Sequence, residues 1–329
     1  MKILVTGGAG YIGSHICKNL YRKGLEPIVF DNLSNGHKKF VKWGDLVVGD
    51  LKNFKDLSKL DKFNFKGVIH LASNIEVGES YKNPSKFYKN NIAGFINLID
   101  FVLKKKIRNF IFSSTAAVYG EPGEKKIKEN FITNPISPYG KSKLYVEKML
   151  EDYSNIFGIN FCSFRYFNAS GADEEMEIGE LHNPETHLIP NLIEACENKK
   201  FFKIFGNNYN TKDGTCMRDY VHVSDIAEAH VIGLRKLIKN KMRKINYINL
   251  GSGKSYSVLE VLEEVQKFKK KKINFKFEKK RHGDPPILIS NINKAKKILN
   301  WSPKRSGLNN IVKTSYKWYL SQKKSYKKK

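Results

Sequence analysis

Three side chains in the middle of the chain have the types and spacing of an acid–base site. Tyr139 and Lys143 are four residues apart, a spacing that places a phenol and an ammonium on one face of a helix. A phenol has a pKa of about 10 in water, and a neighbouring positive charge favours its ionised form. Thr115 follows the apolar run 109–112 and adds a hydroxyl that can share a proton. The pattern predicts a tyrosine that exchanges a proton with a substrate hydroxyl near neutral pH.

A glycine-rich turn near the start of the chain has the pattern that holds a dinucleotide pyrophosphate. The apolar run Lys2–Thr6 is a predicted strand, and a helix is predicted from about Ile12 to Lys23. Between them lies Gly8-x-Gly10-x-x-Gly13, directly after Gly7. Glycines at this spacing allow a tight turn and close approach of the backbone to phosphate, and the helix start adds free N–H groups. The turn and the tyrosine together predict redox chemistry on a nicotinamide cofactor.

Acidic residues after the next two strands indicate which nicotinamide cofactor is used. Asp31 ends the second predicted strand, 18 residues after Gly13. A carboxylate there accepts hydrogen bonds from a ribose diol and repels a 2′-phosphate. Asn32 follows where an NADP enzyme usually offers Arg or Lys, so the sequence favours NAD. Asp50 suits the adenine amino group, although an exposed turn aspartate is an alternative interpretation.

The elements that position these residues alternate between strands and helices. Predicted strands cover 2–6, 27–30, 46–48, 67–71, 109–112 and 160–165, with helices at about 84–106 and after Pro138. Short apolar strands separated by helices are typical of an α/β fold with a doubly wound parallel sheet, a Rossmann NAD-binding domain. After Asn168 the pattern changes, with helices near 188–198, 224–238, 257–268, 291–299 and 308–320. We expect a Rossmann domain at 1–168, rejoined by 219–235 and 246–250, and a smaller mixed α/β substrate domain within 169–329.

Composition excludes several classes of protein. The chain has 329 residues, 40% of them hydrophobic, and no apolar run approaches the roughly 20 residues that span a bilayer. The formal net charge of +27 comes from lysines spread over most polar segments, so no specific nucleic-acid role is expected. Four separated cysteines form no C-x-x-C, which predicts neither a metal site nor a redox pair. Residues 1–13 leave no room for a secretory signal, and we expect a cytoplasmic protein.

The order of motifs over about residues 1–320 resembles that of the extended short-chain dehydrogenases/reductases, and within them the UDP-hexose 4-epimerases. The matching stretches include 7–15, 31–33, 77–80, 90–91, 112–120, 139–143, 165–168, 185–190, 204–206, 213–215, 218–223 and 281–284. The resemblance implies that Tyr139, helped by Thr115 and Lys143, takes the proton of the sugar 4-hydroxyl while NAD⁺ takes hydride from C4. The 4-keto sugar then turns over and hydride returns to its other face.

The resemblance also implies which residues bind the two ligands. The residues implied for NAD are Gly7, Gly10, Tyr11, Ile12, Gly13, Asp31, Asn32, Asn35, Asp50, Leu51, Leu71, Asn90, Tyr139, Lys143 and Phe167. For the UDP-sugar they are Thr115, Asn168, His187, Leu188, Phe205, Arg218, Arg281, Asp284 and Leu288. Arg218 and Arg281 would hold the diphosphate, Asp284 the uridine ribose and Phe205 the uracil. Family members also imply a homodimer joined through the helices at about 84–106 and 140–157.

Small differences separate the activities found on this fold. Nucleotide-sugar 4,6-dehydratases carry an acidic pair after the active-site threonine, where this chain has Ala116 and Ala117. That difference favours epimerisation over a dehydratase or a 4-reductase, while a non-catalytic nucleotide-sugar or polyanion-binding protein is a further alternative. Some family members carry a tyrosine four residues after Asp284, where Leu288 stands here. The smaller side chain leaves room for a 2-acetamido group, so UDP-GlcNAc and UDP-GalNAc are also candidate substrates.

Overall fold

A seven-stranded parallel sheet forms the larger part of the computed structural model, which describes residues 1–123, 126–242, 244–281 and 283–326. Its strands lie side by side in the order β3-β2-β1-β4-β5-β6-β11. Strands β2 and β3 are thus added on one side of β1 and the later strands on the other, and this reversal falls between β1 and β4. The strands of this sheet are β1 Lys2–Thr6, β2 Glu26–Asp31, β3 Asp45–Val48, β4 Phe65–His70, β5 Asn109–Thr115, β6 Asn160–Tyr166 and β11 Ile245–Leu250. Ligands of such sheets bind at the carboxyl ends of the strands beside this reversal.

Helices cover both faces of the sheet because its strands are apolar on both sides. Ile3 and Val5 of β1 pack in one core, while Leu4 between them packs in the core on the opposite face, as expected for alternating side chains. The helices of the chain are α1 Tyr11–Arg22, α2 Phe54–Leu57, α3 Val77–Lys82, α4 Pro84–Tyr88, α5 Gly94–Lys104, α6 Pro138–Phe157, α7 Leu188–Asn198, α8 Val223–Ile238, α9 Val258–Lys269, α10 Asn293–Leu299 and α11 Leu308–Tyr326. The doubly wound architecture expected from the sequence is confirmed.

Short strands and the helices α7, α9 and α11 build much of the rest of the molecule. The strands are β7 Asn168–Ser170, β8 Phe202–Phe205, β9 Met217–Arg218, β10 Tyr220–His222, β12 Tyr256–Ser257, β13 Phe275–Glu278 and β14 Ile287–Leu288. They form two-stranded sheets β10-β7 and β13-β8 and a three-stranded sheet β12-β9-β14. Helices α7, α9 and α11 share a core of their own that includes Leu192, Val261 and Tyr316. This core is separate from the two that flank the large sheet.

Two segments differ from the sequence prediction. The predicted helix at 84–106 contains a π-helical turn, Lys89–Ala93, between α4 and α5. Residues 220–222 pair with 168–170 in a separate small sheet, and it is the following helix α8 that packs against the large sheet through residues such as Ala229. The π turn contains Asn90 and Asn91, whose side-chain contacts are described below.

The cysteines and the apolar character of the helices bear on the expectations drawn from composition. All four cysteines are buried and none forms a disulfide. Throughout the described residues, no helix combines the length and the apolar character that a membrane span requires.

Candidate active site

The glycine-rich turn lies between β1 and α1, at the reversal of strand order. Gly7 has a φ of +74°, and a Cβ there would lie 2.6 Å from the backbone nitrogen of Ala72, just after β4. A Cβ on Gly13 would lie 2.1 Å from the Gly7 oxygen. The glycines therefore let α1, β1 and the end of β4 approach one another more closely than side chains would allow. Gly10 precedes α1, and no side chain caps the N–H groups of its first turn.

Asp31 joins the end of β2 to this turn. Its carboxylate accepts hydrogen bonds from the backbone N–H of Ala9 at 3.0 Å and of Leu33 at 2.9 Å. The side chain is nearly buried, and burial raises its pKa. At the neighbouring strand end, Asn32 donates from Nδ2 to Oδ2 of Asp50 at 3.1 Å. The structure thus brings Asp31, Asn32 and Asp50 together beside the glycine-rich turn.

Other residues predicted to contact the cofactor surround the same strand ends. Leu71 follows β4, its N–H donates to the Thr6 oxygen at 3.0 Å, and its side chain packs on the core below the turn. Leu51 is buried in the core on the opposite face of the sheet. Tyr11 is buried at the start of α1 and donates from its hydroxyl to the Gly171 oxygen. Ile12 packs beside it and Asn35 is exposed in the loop after β2.

The two asparagines of the π turn connect the loop after β4 with α6. Asn90 donates from Nδ2 to Oδ1 of Asn91 at 3.0 Å. Asn91 is buried and bonds the backbone of Asn74, and its Nδ2 donates to the Ser142 hydroxyl at 3.0 Å. Asn90 was predicted from the sequence but the positioning contacts of Asn91 were not, although two adjacent asparagines inside a predicted helix were a visible signal.

Thr115, Tyr139 and Lys143 meet where β5 ends and α6 begins. Ser137 caps α6 by accepting from the Gly140 N–H at 3.1 Å, and Pro138 occupies the first helical position. This start of the helix places Tyr139 beside Thr115, whose hydroxyl acts to lower the pKa of the phenol. Lys143 lies one turn later, with Nζ 6.0 Å from the centre of the Tyr139 ring. The residue spacing that suggested a shared site is therefore realised in three dimensions.

Burial dominates the protonation of the tyrosine and the lysine. It raises the pKa of Tyr139 to about 12, while the hydrogen bond with Thr115 acts in the opposite direction. It lowers the pKa of Lys143 to about 7, against the effect of Glu147 one turn further along α6. Each pKa shift favours the neutral form of its group, as expected when burial removes water from a charge. A cation placed beside the phenol would reverse part of the effect on Tyr139.

Two partners of Lys143 were not predicted. Its Nζ donates to the Ser73 hydroxyl at 2.8 Å and to the backbone oxygen of Ser113 at 2.7 Å. Ser73 lies in the loop after β4, a segment to which the sequence analysis gave no role. A backbone oxygen leaves no trace in residue type, so the Ser113 contact had no sequence signal. Together the two contacts hold the ammonium between the ends of β4 and β5.

A second group of predicted residues surrounds β9 and β14. Arg218 donates from Nη2 to Oδ1 of Asp284 at 3.0 Å and from Nη1 to the Pro285 oxygen at 2.8 Å. The guanidinium of Arg281 lies 3.9 Å from the centre of the Phe205 ring, a cation–π contact. Leu288 pairs with Arg218 in the strand register. His282 of the same motif falls outside the described residues.

Leu288 connects this group to the acid–base site. It packs against a buried cluster that contains Ala116 and Phe167, and Ala116 directly follows Thr115. Asn168 lies next to Phe167 and donates from Nδ2 to the Asp219 oxygen at 3.1 Å. Packing contacts therefore connect the tyrosine, through Ala116 and Leu288, with Arg218.

His187 and Leu188 open helix α7. His187 bonds Glu180 through Nδ1, and this contact raises the pKa of His187 although burial opposes its charge. Leu188 packs against the core of the smaller part of the molecule. His182, which also pairs with Glu180, lies against Tyr11 with ring centres 6.3 Å apart. The start of α7 is thereby tied to the glycine-rich end of α1.

Comparisons with known proteins agree with this arrangement. The family model described as the NAD dependent epimerase/dehydratase family matches residues 3–251. A UDP-glucose 4-epimerase of Rhizobium meliloti (strain 1021) is 44% identical over 319 residues, covering 96% of each chain. The crystal structure of the UDP-glucose 4-epimerase from Brucella ovis in complex with NAD has a TM-score of 0.92 and 40% identity, covering 96% of this chain and 97% of that one. The UDP-Glc/GlcNAc 4-epimerase of Campylobacter jejuni has a TM-score of 0.84 and 38% identity, covering 97% and 99%.

Proposed function

This chain belongs to the NAD dependent epimerase/dehydratase family, and we propose that it inverts C4 of a UDP-hexose with NAD as its cofactor. The observation that carries the proposal is the convergence of Thr115, Tyr139 and Lys143 at the strand ends beside the glycine-rich turn, with the lysine Nζ 6.0 Å from the centre of the tyrosine ring. Relatives named UDP-glucose 4-epimerase match it over nearly their whole length. UDP-glucose and UDP-galactose are the pair interconverted.

The residues present fit NAD. Side chains on Gly7 or Gly13 would collide with neighbouring backbone. Because these side chains are missing, the turn packs tightly and its backbone can approach a pyrophosphate closely. Asp31 presents a carboxylate with no basic neighbour at Asn32, and this favours a ribose diol over a 2′-phosphate. We propose that Gly10, Tyr11 and Ile12 complete the pyrophosphate site. The outer residues Asn35, Asp50, Leu51, Leu71, Asn90 and Phe167 would line the rest of the cofactor site.

The chain's own residues handle the proton. NAD, when bound, supplies a nicotinamide ring that accepts hydride from the sugar C4 and returns it to the opposite face. Tyr139 removes the proton of the 4-hydroxyl and later gives it back, while Thr115 shares that proton through its hydroxyl. The Lys143 ammonium, held by Ser73 and Ser113, offsets the burial that raises the pKa of the phenol.

Anchoring of the nucleotide allows the 4-keto sugar to rotate without leaving. We propose that Arg218 and Arg281 bind the diphosphate, a task suited to their planar groups. In this structure the two guanidiniums contact Asp284 and Phe205, the residues proposed for the uridine ribose and the uracil. Asn168, His187 and Leu188 would line the diphosphate and sugar region between them.

Ala116 stands where the 4,6-dehydratases on this fold carry an acidic residue. A 4,6-dehydratase needs an acid beside the active-site threonine, but Ala116 is buried against Phe167 and near Leu288. A 4-reductase would consume external NAD(P)H in proportion to product. Incubation with UDP-galactose and no added cofactor should give UDP-glucose by NMR, with no loss of water. Net dehydration, or a requirement for stoichiometric NAD(P)H, would contradict the proposal.

Replacement of the tyrosine tests the mechanism directly. Tyr139→Phe should lower kcat by about 10² to 10⁴, the usual contribution of a positioned acid–base group. Tyr21→Phe is a matched control, because Tyr21 lies at the end of α1 away from the glycine-rich turn and is 61% exposed. It should retain wild-type kcat. Full turnover in Tyr139→Phe would remove the tyrosine from the mechanism.

Sugar preference is proposed to depend on Leu288. It lies next to the cluster that follows Thr115, so its size limits the space beside the sugar. Leu288→Tyr should lower the ratio of UDP-GalNAc to UDP-galactose turnover, while the volume-conserving Leu288→Met should leave the ratio nearly unchanged. An unchanged ratio in Leu288→Tyr would refute the role of this side chain.

We also propose a division of the chain and an assembly. The NAD-binding part comprises 1–168 with 219–235 and 246–250, and 169–329 mainly binds the UDP-sugar. A homodimer through the helices at 84–106 and 140–157 is supported by exposed apolar side chains there, namely Ile96, Tyr145, Ile156 and Phe157. Sedimentation equilibrium should give about twice the chain mass of 37.8 kDa, and the monomer mass would contradict it.

A further inference from the structure

Four side chains with metal-binding chemistry converge between β7 and α7. The His–Glu cluster consists of Glu180, His182, Glu185 and His187, and one potential ligand atom from each lies within 4.8 Å of the others. Glu180, Glu185 and His182 have side chains that are 6%, 16% and 19% exposed, whereas that of His187 is 45% exposed. Two imidazoles and two carboxylates are therefore held together largely away from solvent.

Three of the four imidazole–carboxylate distances in the cluster lie near the edge length of a tetrahedral metal site, and the fourth, from His187 to Glu180, is shorter and lengthens when an ion binds. His182 Nδ1 lies 3.2 Å from Oε1 of Glu180 and 3.8 Å from Oε2 of Glu185. His187 Nδ1 lies 3.7 Å from Oε1 of Glu185 and also contacts Glu180. Nitrogen and oxygen ligands at the usual zinc distances are separated from one another by about 3.4 Å. We propose that the His–Glu cluster binds a divalent transition-metal cation of the Zn²⁺ class.

Neighbouring groups hold the ligands in place. Glu185 Oε1 accepts from the backbone N–H groups of Thr186 and His187, both at 2.8 Å. The Glu180 backbone oxygen accepts from Nε1 of Trp318 at 2.7 Å. Such outer contacts orient metal ligands before the metal arrives. The other carboxylate oxygen of Glu185, Oε2, faces Nδ1 of His182 at 3.8 Å.

A nearby acidic cluster provides an internal contrast. Asp173, Glu175 and Glu177 also converge, but Lys18 Nζ lies among them at 2.7, 3.0 and 2.6 Å. An ammonium thus already occupies the centre of that cluster. Among the described residues, Glu180 and Glu185 form their ion pairs with imidazoles. A cation from solution would therefore compete at Glu180 and Glu185 with imidazoles, which are themselves metal ligands.

The donor types select the class of cation. Mixed imidazole and carboxylate ligands suit Zn²⁺ and its transition-metal neighbours, while Mg²⁺ and Ca²⁺ prefer oxygen ligands alone. Four protein ligands close the site, so the ion is structural. It joins the segment 180–187 to the start of α7, so His187 would border the proposed sugar region while its Nδ1 is held as a ligand, and zinc binding is measured without the reaction proposed above. The spacing His182-x-x-Glu185-x-His187 was readable in the sequence, although the cysteine analysis alone predicted no metal.

Metal analysis of the untagged protein, purified with its NAD, tests this site. After chelator treatment and dialysis against micromolar Zn²⁺, elemental analysis should find one zinc per chain in the wild type. His182→Gln and Glu185→Gln should each bind less than a tenth as much zinc. Glu194→Gln is the matched control and should bind one zinc, because Glu194 of α7 is 40% exposed and pairs with Lys200 outside the cluster.

Cobalt provides a second readout that needs no variant. Co²⁺ bound to the wild type should show the intense visible bands of tetrahedral coordination, and Zn²⁺ should displace it. Circular dichroism identifies any variant that fails to fold. Absence of stoichiometric zinc in the wild type, full zinc binding in folded His182→Gln, or only the weak bands of octahedral cobalt would each overturn the proposal.

Discussion

Loss of the carboxylate from the buried ion pair behind the acid–base site should strongly destabilise the protein. Arg165 of β6 donates from Nε and Nη2 to the two carboxylate oxygens of Glu147 at 2.9 and 2.7 Å. Their side chains are only 5% and 1% exposed. Glu147→Gln would keep the shape and leave the guanidinium buried without a counter-charge. Removal of one partner from a buried pair destabilises a protein by about 3 to 5 kcal/mol.

Urea unfolding followed by circular dichroism measures this difference. Lys148→Met is the control on the same helix, because the Lys148–Glu151 pair has a similar length of 3.0 Å but is 60% and 29% exposed. Its loss should lower the free energy of unfolding by less than about 1 kcal/mol. The double variant Glu147→Met/Arg165→Met should be more stable than Glu147→Gln, since no unpaired charge remains. If Glu147→Gln is no less stable than Lys148→Met, the reasoning is refuted.

The same substitution should change the pH dependence of turnover. Glu147 lies one turn beyond Lys143, and its charge raises the pKa of that lysine against the effect of burial. Without the carboxylate, Lys143 loses its proton at a lower pH. If the ammonium supports catalysis, the alkaline limb of the kcat profile moves to lower pH in Glu147→Gln. An unshifted limb would separate the ion pair from the chemistry.

Three further outcomes are expected. Gly13→Ala should abolish tight NAD binding in a fluorescence titration, because its Cβ would lie 2.1 Å from the Gly7 oxygen, whereas Gly78→Ala has open space and should bind normally. Lys143→Met should raise the free energy of unfolding by about 2 to 5 kcal/mol below pH about 7. The folded pKa of about 7 lies below the ordinary 10.5, so this gain fades as pH rises toward about 10.5, and a constant gain would contradict the assignment. Lys18→Met leaves three carboxylates facing one another, and its loss of stability in urea should be larger near pH 7 than near pH about 4.

Much of this fold could be predicted because its strands are short, apolar and separated by helices. The chemistry of Tyr139 and Lys143 was equally visible, since helix periodicity alone places them on one face. The partners of Lys143 could not be predicted, because Ser73 and the Ser113 oxygen reach it only through the arrangement of β4 and β5. Arg165 inside an apolar strand signalled a buried partner, but tertiary packing had to identify it as Glu147.

The last strand of the large sheet has a consequence for synthesis on the ribosome. β11, at Ile245–Leu250, covers the hydrogen-bonding edge of β6, so about 80 residues separate the two strands in the order of translation. Until they emerge, the nascent N-terminal portion presents β6 as an unpaired edge of the kind that recruits other strands. A fragment ending at residue 168 should therefore aggregate or bind chaperones, and the large sheet becomes complete only when residue 250 has left the exit tunnel.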